Sequence, residues 1–351
     1  MTDAIDADIL AEVLTGLRQP QKALSPKFFY DAHGSDLFEQ ITRLEEYYPT
    51  RTEVGILKEH GPAIGQAIGP DAVIVEFGAG NLEKIRLLLD VLDRPKAYIP
   101  IDISEEHMTE AAAVLAKEYP DLRIEPVAGD YTKPLDLPVW AMAEGVHRVG
   151  FFPGSTIGNF PPDEARAFLQ TAKNILGDGD LVIGVDLQKD AAVLNLAYND
   201  LQGVTAAFNL NMLSNLNNLI GSNFDLSQFE HDAFYNEELG RIEMHLLSRV
   251  DQIVTVGGEG FAFAKGETIH TESSYKYTFA GVRKLAEAVG WDVKQTLCDE
   301  RQWFSLNYFG APEEDQDGFW VNAASEGNFT EKGVKVDVLS GLLRWVMNLR
   351  P

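Results

Sequence analysis

Glu76-Phe77-Gly78-Ala79-Gly80 stands between an apolar run and an amphipathic stretch, the position of a strand-to-helix turn. Two glycines there let the main chain turn tightly and approach a ligand closely. A dinucleotide fingerprint would place a third small residue at position 83, beside a pyrophosphate. That position is Glu83, whose charge opposes two phosphates, so NAD is not expected. A cofactor without phosphate fits better, and S-adenosylmethionine (SAM), with its sulfonium and ammonium cations, is one. Asp102 ends the next apolar run, 22 residues after Gly80, where a carboxylate can accept hydrogen bonds from both ribose hydroxyls. Asp130 ends a third run after Gly129, placed for the adenine amino group, with Tyr131 packing beside it. Lys84 can meet the cofactor's carboxylate from the first turn of its helix. The duller alternatives are that both aspartates cap the segments after them and that Lys84 is solvated.

A second group of reactive types follows the fourth apolar run, in FFPGSTIGNFPP from Phe151 to Pro162. Ligands of parallel sheets bind beyond the carboxyl ends of the strands, so this loop should face the methyl group. The Asn159 carbonyl can accept a hydrogen bond from an amine and aim its lone pair at an electrophile. Aspartate there would favour the ammonium form and oppose reaction. Asn159 and the Gly154 carbonyl are therefore the candidates for holding an acceptor amine, against a reading of Asn159 as a helix cap.

The elements that must position these groups alternate in type. Runs 72–77, 97–102, 122–130, 148–155 and 181–187 read as strands, and 81–92, 104–119 (capped by Ser104) and 162–176 as helices. That alternation implies right-handed crossovers and a parallel, doubly wound sheet. An amphipathic helix on Ile9, Leu10, Val13, Leu14 and Leu17 precedes it, then a loop from Pro26 to Glu53 and a helix stopped at Gly69-Pro70. After residue 190 the rhythm breaks into an Asn/Leu-rich helical region to about 220 and an antiparallel segment over 241–272. Helix 278–289 and the pair DVKQTLCD and QWFSLNYF then resume the α/β pattern. The expected architecture is a Rossmann-like α/β sheet domain, 53–190 and 276–351, interrupted by an α+β substrate-binding module, 1–52 and 191–275. The tail 311–351 carries no assignment beyond an amphipathic spacing of Leu339, Leu342, Leu343, Val346 and Leu349.

Composition narrows the partners. The 351 residues include 54 acidic and 29 basic side chains, a net charge of −25, which repels nucleic-acid phosphates and anionic membrane surfaces. An apolar content of 45% with 10% aromatics demands a packed core rather than disorder. Cys298 is the single cysteine, the N-terminus is acidic, and no run approaches a membrane span, so a cytoplasmic, monomeric protein is expected. None of the seven histidines shows metal-ligand spacing, so no metal is expected.

FFYDAHGSDLFEQITRLEEYYPTRTE, VEFGAGNLEK, FFPGSTIGNF and TESSYKY together closely resemble the L-histidine Nα-methyltransferases of ergothioneine biosynthesis, over about residues 20–310. The resemblance implies a class I SAM methyltransferase that trimethylates the α-amine of L-histidine to hercynine. It implies Tyr47 and Tyr198 as partners of the substrate carboxylate, Asn159 and Gly154 of the amine, and Glu272 and Ser274 of the imidazole. Tyr30 and Phe38 match aromatic positions near amine and ring, Tyr30 with Asn159 at the reacting centre, and Met244 matches the pocket wall. The cofactor set falls on Gly78, Gly80, Lys84, Asp102, Asp130 and Tyr131. Two other readings stay open: the same chemistry on a tryptophan derivative, which Glu272 disfavours, and a non-enzymatic cofactor-binding protein.

Overall fold

The computed structural model describes residues 7–80, 82–103 and 105–312. The capping role of Ser104 and the 339–349 spacing lie outside them.

Short runs of branched residues bounded by Gly, Pro and Asp form the strands of the main sheet. Strand β1 (Val73–Phe77) is wholly buried, as a strand covered on both faces must be. It leads through helix α4 (Leu82–Leu89) to β2 (Ala97–Asp102), and through α5 (Glu105–Glu118) to two short pieces, β3 (Arg123–Ile124) and β4 (Val127–Ala128). The expected single strand over 122–130 is split at Pro126, which has no N–H for the ladder. Strand β5 (Arg148–Phe152), helix α6 (Pro162–Leu176) and β6 (Asp180–Asp186) continue on the other side of β1. Helix α9 (Phe279–Glu287), β12 (Asp292–Cys298) and β13 (Phe304–Gly310), which follow the second sheet in the chain, close the main sheet.

The resulting order is β12-β13-β6-β5-β1-β2-β3, with β4 also pairing β2 and β13 running antiparallel between β12 and β6. Crossovers leave β1 in opposite directions, so a crevice opens at the carboxyl ends of β1 and β5. Residues 77–80 and 153–159 lie at those ends.

The second sheet and the helices on it gather an N-terminal segment and a segment from the middle of the chain. Helix α1 (Ala7–Leu17) precedes α2 (Ala32–Ile41), which replaces the expected loop; Asp31 caps it through the Gly34 N–H at 2.7 Å. Helix α3 (Tyr48–Ile68) runs to Gly69. The Asn/Leu-rich region forms α7 (Ala191–Ala197) and α8 (Val204–Ile220), divided where Asp200 accepts the Val204 and Thr205 N–H groups at 2.9 and 2.8 Å. Buried amides need partners, and the asparagines of α8 find them: Asn209 donates to the His245 carbonyl, Asn215 to the Phe28 carbonyl and Asn211 to Asp31. A strand not anticipated, β7 (Phe229–Asn236), pairs with β8 (Arg241–Ser248), and β8 with β11 (Thr268–Tyr275); β9 (Gln252–Val256) and β10 (Glu259–Phe263) form a separate ribbon. One apolar cluster joins Val13, Phe28, Leu37, Tyr48, Leu194, Phe208, Leu216, Met244 and Ile269, and separate clusters cover the two faces of the main sheet. Among the described residues no helix is long and apolar enough to cross a membrane.

Candidate active site

The cofactor candidates converge at the crevice. Gly78 has φ +77°, and a side chain on it would start 3.3 Å from the Tyr131 ring. Tyr131 packs edge-on against Phe152 and Phe168. Burial pushes its phenol up to about 12, with Asp102 and Asp130 adding to the shift, which places both carboxylates in its neighbourhood. Among the described residues beyond its chain neighbours, nothing lies within 4 Å of a Cβ placed on Gly80. A bare backbone turn, an aromatic wall and acidic strand ends thus fit a cationic nucleoside. Asp130 also caps its own turn, accepting from Thr132 N at 3.0 Å and pairing with Lys133 at 3.0 Å, so its capping role is present as well.

The acceptor residues form a continuous wall. Tyr30 ends the short helix Pro26–Phe29, Phe38 sits on α2, and Tyr47 caps α3. Their rings run Tyr30–Phe38 (5.8 Å), Phe38–Tyr47 (6.5 Å) and Tyr47–Tyr198 (6.2 Å) between centroids. Tyr198 donates to Ser274 Oγ at 3.0 Å. A register shift between His270 and Glu272 sets Glu272 opposite Met244 and Ser274 opposite Ile242, on the face lined by the apolar cluster. Tyr30 keeps 47% of its surface accessible. The covered side of the ring packs on Phe29, Phe38 and Phe208, and desolvation there, then Glu272, Tyr47, Tyr131 and Tyr198, hold its phenol above the ordinary range. It is therefore a neutral hydroxyl, not a base, near neutral pH.

Asn159 ends the 3-10 turn Thr156–Asn159, half-buried, and among the described residues none hydrogen-bonds its side chain. The helix after it is capped by Pro161 without a side-chain bond, so Asn159 is no cap. Its turn is pressed on β11: a Cβ on Gly158 would lie 2.7 Å from the Tyr275 carbonyl oxygen. The loop that faces the crevice is thereby seated against the strand carrying Glu272 and Ser274.

Two acidic groups at the site were not legible in the sequence. Glu53, wholly buried on α3, accepts the Gly154 N–H at 3.0 and 2.9 Å and pairs with Lys84 Nζ at 2.6 Å. Lys84 is accordingly held by protein and is not a solvated lysine. Asp186, at the end of β6, accepts from Tyr48 at 2.8 Å, Lys189 at 2.5 Å and Lys276 at 2.8 Å. Two lysines on one aspartate leave this buried cluster with an excess positive charge, and burial lowers Lys189 to about 8. The PTRTEVG run around Glu53 looks like an exposed helix start, and only the fold brings position 53 to Gly154.

Glu243, His245 and His270 also come together, on the opposite face of β8 and β11, with their ligating atoms within 4.8 Å. His245 and His270 are direct cross-strand partners, a proximity that sequence spacing cannot show. Arg241 and Asn236 already donate to one Glu243 oxygen and His245 Nε2 bonds the other at 3.0 Å, so protein groups balance the carboxylate without a metal.

The strand order, its antiparallel β13 and a ligand crevice at β1 and β5 define a class I SAM-dependent methyltransferase fold. The family model described as histidine-specific, SAM-dependent methyltransferase matches residues 9–311, and the chain belongs to that family. It is 42% identical over 300 residues to the histidine N-alpha-methyltransferase of Mycolicibacterium smegmatis, covering 82% of this chain and 92% of that one. The histidine N-alpha-methyltransferase of Mycobacterium tuberculosis is 38% identical, over 87% of this chain and 95% of its own. Ergothioneine biosynthesis protein 1 of Neurospora crassa is 32% identical over 88% of this chain and 35% of that protein.

Proposed function

We propose that this protein trimethylates the α-amine of free L-histidine, giving hercynine, the first step of ergothioneine biosynthesis. The observation that carries the reading is the placement of a buried carboxylate, Glu272, across from Met244 on the strand that seats the Asn159 turn. SAM, when bound, supplies an electrophilic methyl group on a sulfonium. Gly78, Gly80, Lys84, Asp102, Asp130 and Tyr131 would hold it. The Asn159 amide and Gly154 carbonyl accept from the amine and orient its lone pair, a positioning role worth several orders of magnitude in rate. Tyr47 and Tyr198 take the carboxylate, Tyr30 and Phe38 wall the amine side, and Glu272 and Ser274 read the ring. The separate apolar clusters support two modules, 1–52 with 191–275 for the acceptor and 53–190 with 276–351 for the cofactor. A single free cysteine is consistent with the cytoplasm.

Incubation with SAM and L-histidine is expected to yield a mass shift of three methyl groups; absence of any methylated histidine ends the proposal. Glu272→Ala should weaken L-histidine by about 10- to 150-fold, the range for a charge-assisted hydrogen bond, and change S-adenosylhomocysteine affinity little. Equal losses in calorimetry would make Glu272 a structural residue. The same variant separates a tryptophan derivative, whose binding an apolar substitution should improve.

Burial raises Glu272 to about 7, Lys276 opposing. Protonation removes the charge that makes this acceptor strong, so histidine binding loses most of this contact as pH falls. The ratio of wild-type to Glu272→Gln affinity should be constant above about pH 8 and fall toward tenfold per unit below about 7. The same raised pKa means that the carboxyl contributes stability below its unfolded value of 4.5 that is lost as pH rises to about 7. A pH-independent ratio between 6 and 8 refutes this role.

A further inference from the structure

Lys276 belongs to no part of the site read from the sequence, yet its ammonium lies beneath it. The side chain is 1% exposed. Its three protons are all placed: Asp186 at 2.8 Å, Ser274 Oγ at 2.7 Å and Tyr198 Oη at 3.2 Å. Asp186 keeps Lys189 and Tyr48 as further partners.

A hydroxyl has one proton and two lone pairs, whereas an ammonium can only donate. Lys276 therefore fills a lone pair on Ser274 and one on Tyr198. Between them the two hydroxyls share one further bond, at 3.0 Å. Tyr198 is the donor in that bond, so the Ser274 proton has no acceptor among the described residues and is available to a ligand. Glu272, two residues before Ser274 on the same face, offers the opposite character once ionised. One end of the pocket donates and the other accepts. A neutral imidazole, with one N–H and one imine nitrogen, matches that pair; an indole or a pyrrole has no imine lone pair to offer.

We infer that Lys276 is a specificity-determining positioning residue: together with Tyr198 it fills both lone pairs of Ser274, so that this hydroxyl has only its proton to offer and takes an acceptor, the imine nitrogen of a neutral ring. The inference rests on the histidine reading of the site. It explains why a second lysine is buried on Asp186, which Lys189 alone would neutralise. Lys276 acts through the Ser274 hydroxyl and need not touch the substrate.

The test compares L-histidine with the two pyrrolylalanine isomers, in each of which C–H replaces one ring nitrogen, on the full chain with SAM. For the wild type, kcat/KM for the better isomer should lie at least about 10-fold below histidine, the cost of leaving a charge-assisted donor unpaired. Lys276→Met should raise KM for histidine about 10- to 100-fold with a smaller change in kcat, and bring the histidine-to-pyrrole ratio close to one. Lys276→Gln, which keeps one donor, should fall between. Unchanged S-adenosylhomocysteine affinity and melting temperature verify the fold of each variant. If Lys276→Met does not fold, Lys276→Gln and Ser274→Ala carry the test through the same ratio. Retention of the wild-type ratio in a folded Lys276 variant overturns the role of Lys276. A wild type that leaves histidine unmethylated overturns the histidine reading instead.

Discussion

Asn159→Asp is expected to lower kcat for histidine methylation by about 10- to 1,000-fold while leaving L-histidine bound as tightly as before, or more tightly. The reason is the charge of the replacement, since the two side chains have nearly the same shape. Asn159 is half-buried with no protein partner among the described residues, so its amide is available to an amine. Asparagine accepts from that amine in either protonation state. An aspartate in its place favours the ammonium form, and an opposite charge within about 4–6 Å shifts a pKa by roughly 1–3 units. Each unit removes a factor of about ten in the reactive neutral amine at a given pH. The loss should therefore sit in kcat and not in KM, and raising the pH should restore the rate. A variant that was merely misfolded would show neither the split nor the recovery. A kcat within about threefold of wild type, with no shift of the pH profile, would remove Asn159 from the reacting centre.

The parts of this site that were legible in the sequence are those fixed by strand ends. Gly78, Asp102, Asp130 and Asn159 each follow an apolar run, and in an open parallel sheet the carboxyl ends of such runs meet at one crevice. What a single sequence hides is pairing between elements far apart in the chain. Glu53 and Gly154 are 101 residues apart, and their contact exists only because α3 lies beside β6 and the loop after β5. Lys276 drew no reading in the sequence; its meaning comes from its pairing with Asp186, 90 residues earlier in the chain. The 26–53 segment was misread for a local reason. Its glycine, aspartates and aromatics suggested turns, yet Asp31 capping Gly34, followed by Leu37, Phe38 and Ile41, is a helix signature. Strand β7 escaped because FEHDAFYN carries charge on its outer face, and alternation with so few apolar residues is a weak signal.

Gly184→Ala is expected to weaken both S-adenosylhomocysteine and L-histidine, by about tenfold or more each, although Gly184 is not among the residues assigned to either ligand. A Cβ on Gly184 would lie 2.2 Å from Glu53 Oε1 and 3.1 Å from the Phe304 ring, so the carboxylate has to move. Glu53 joins the two halves of the site. It accepts the N–H of Gly154, whose carbonyl is assigned to the amine, and it pairs with Lys84, assigned to the cofactor's carboxylate. Displacing it frees the Lys84 ammonium and loosens the turn at Gly154 together. Glu53→Gln should act on the same two ligands, because an amide can still accept from Gly154 but brings no charge to Lys84. Glu53→Leu should go further and destabilise the fold by about 3–5 kcal/mol, since it leaves a largely buried ammonium without its partner. The decisive measurement is the double variant. If both substitutions act through one carboxylate, Glu53→Gln with Gly184→Ala should lose little more affinity than Glu53→Gln alone. Additive losses, or a Gly184→Ala effect confined to one ligand, would show that Glu53 does not couple the amine-binding loop to the cofactor.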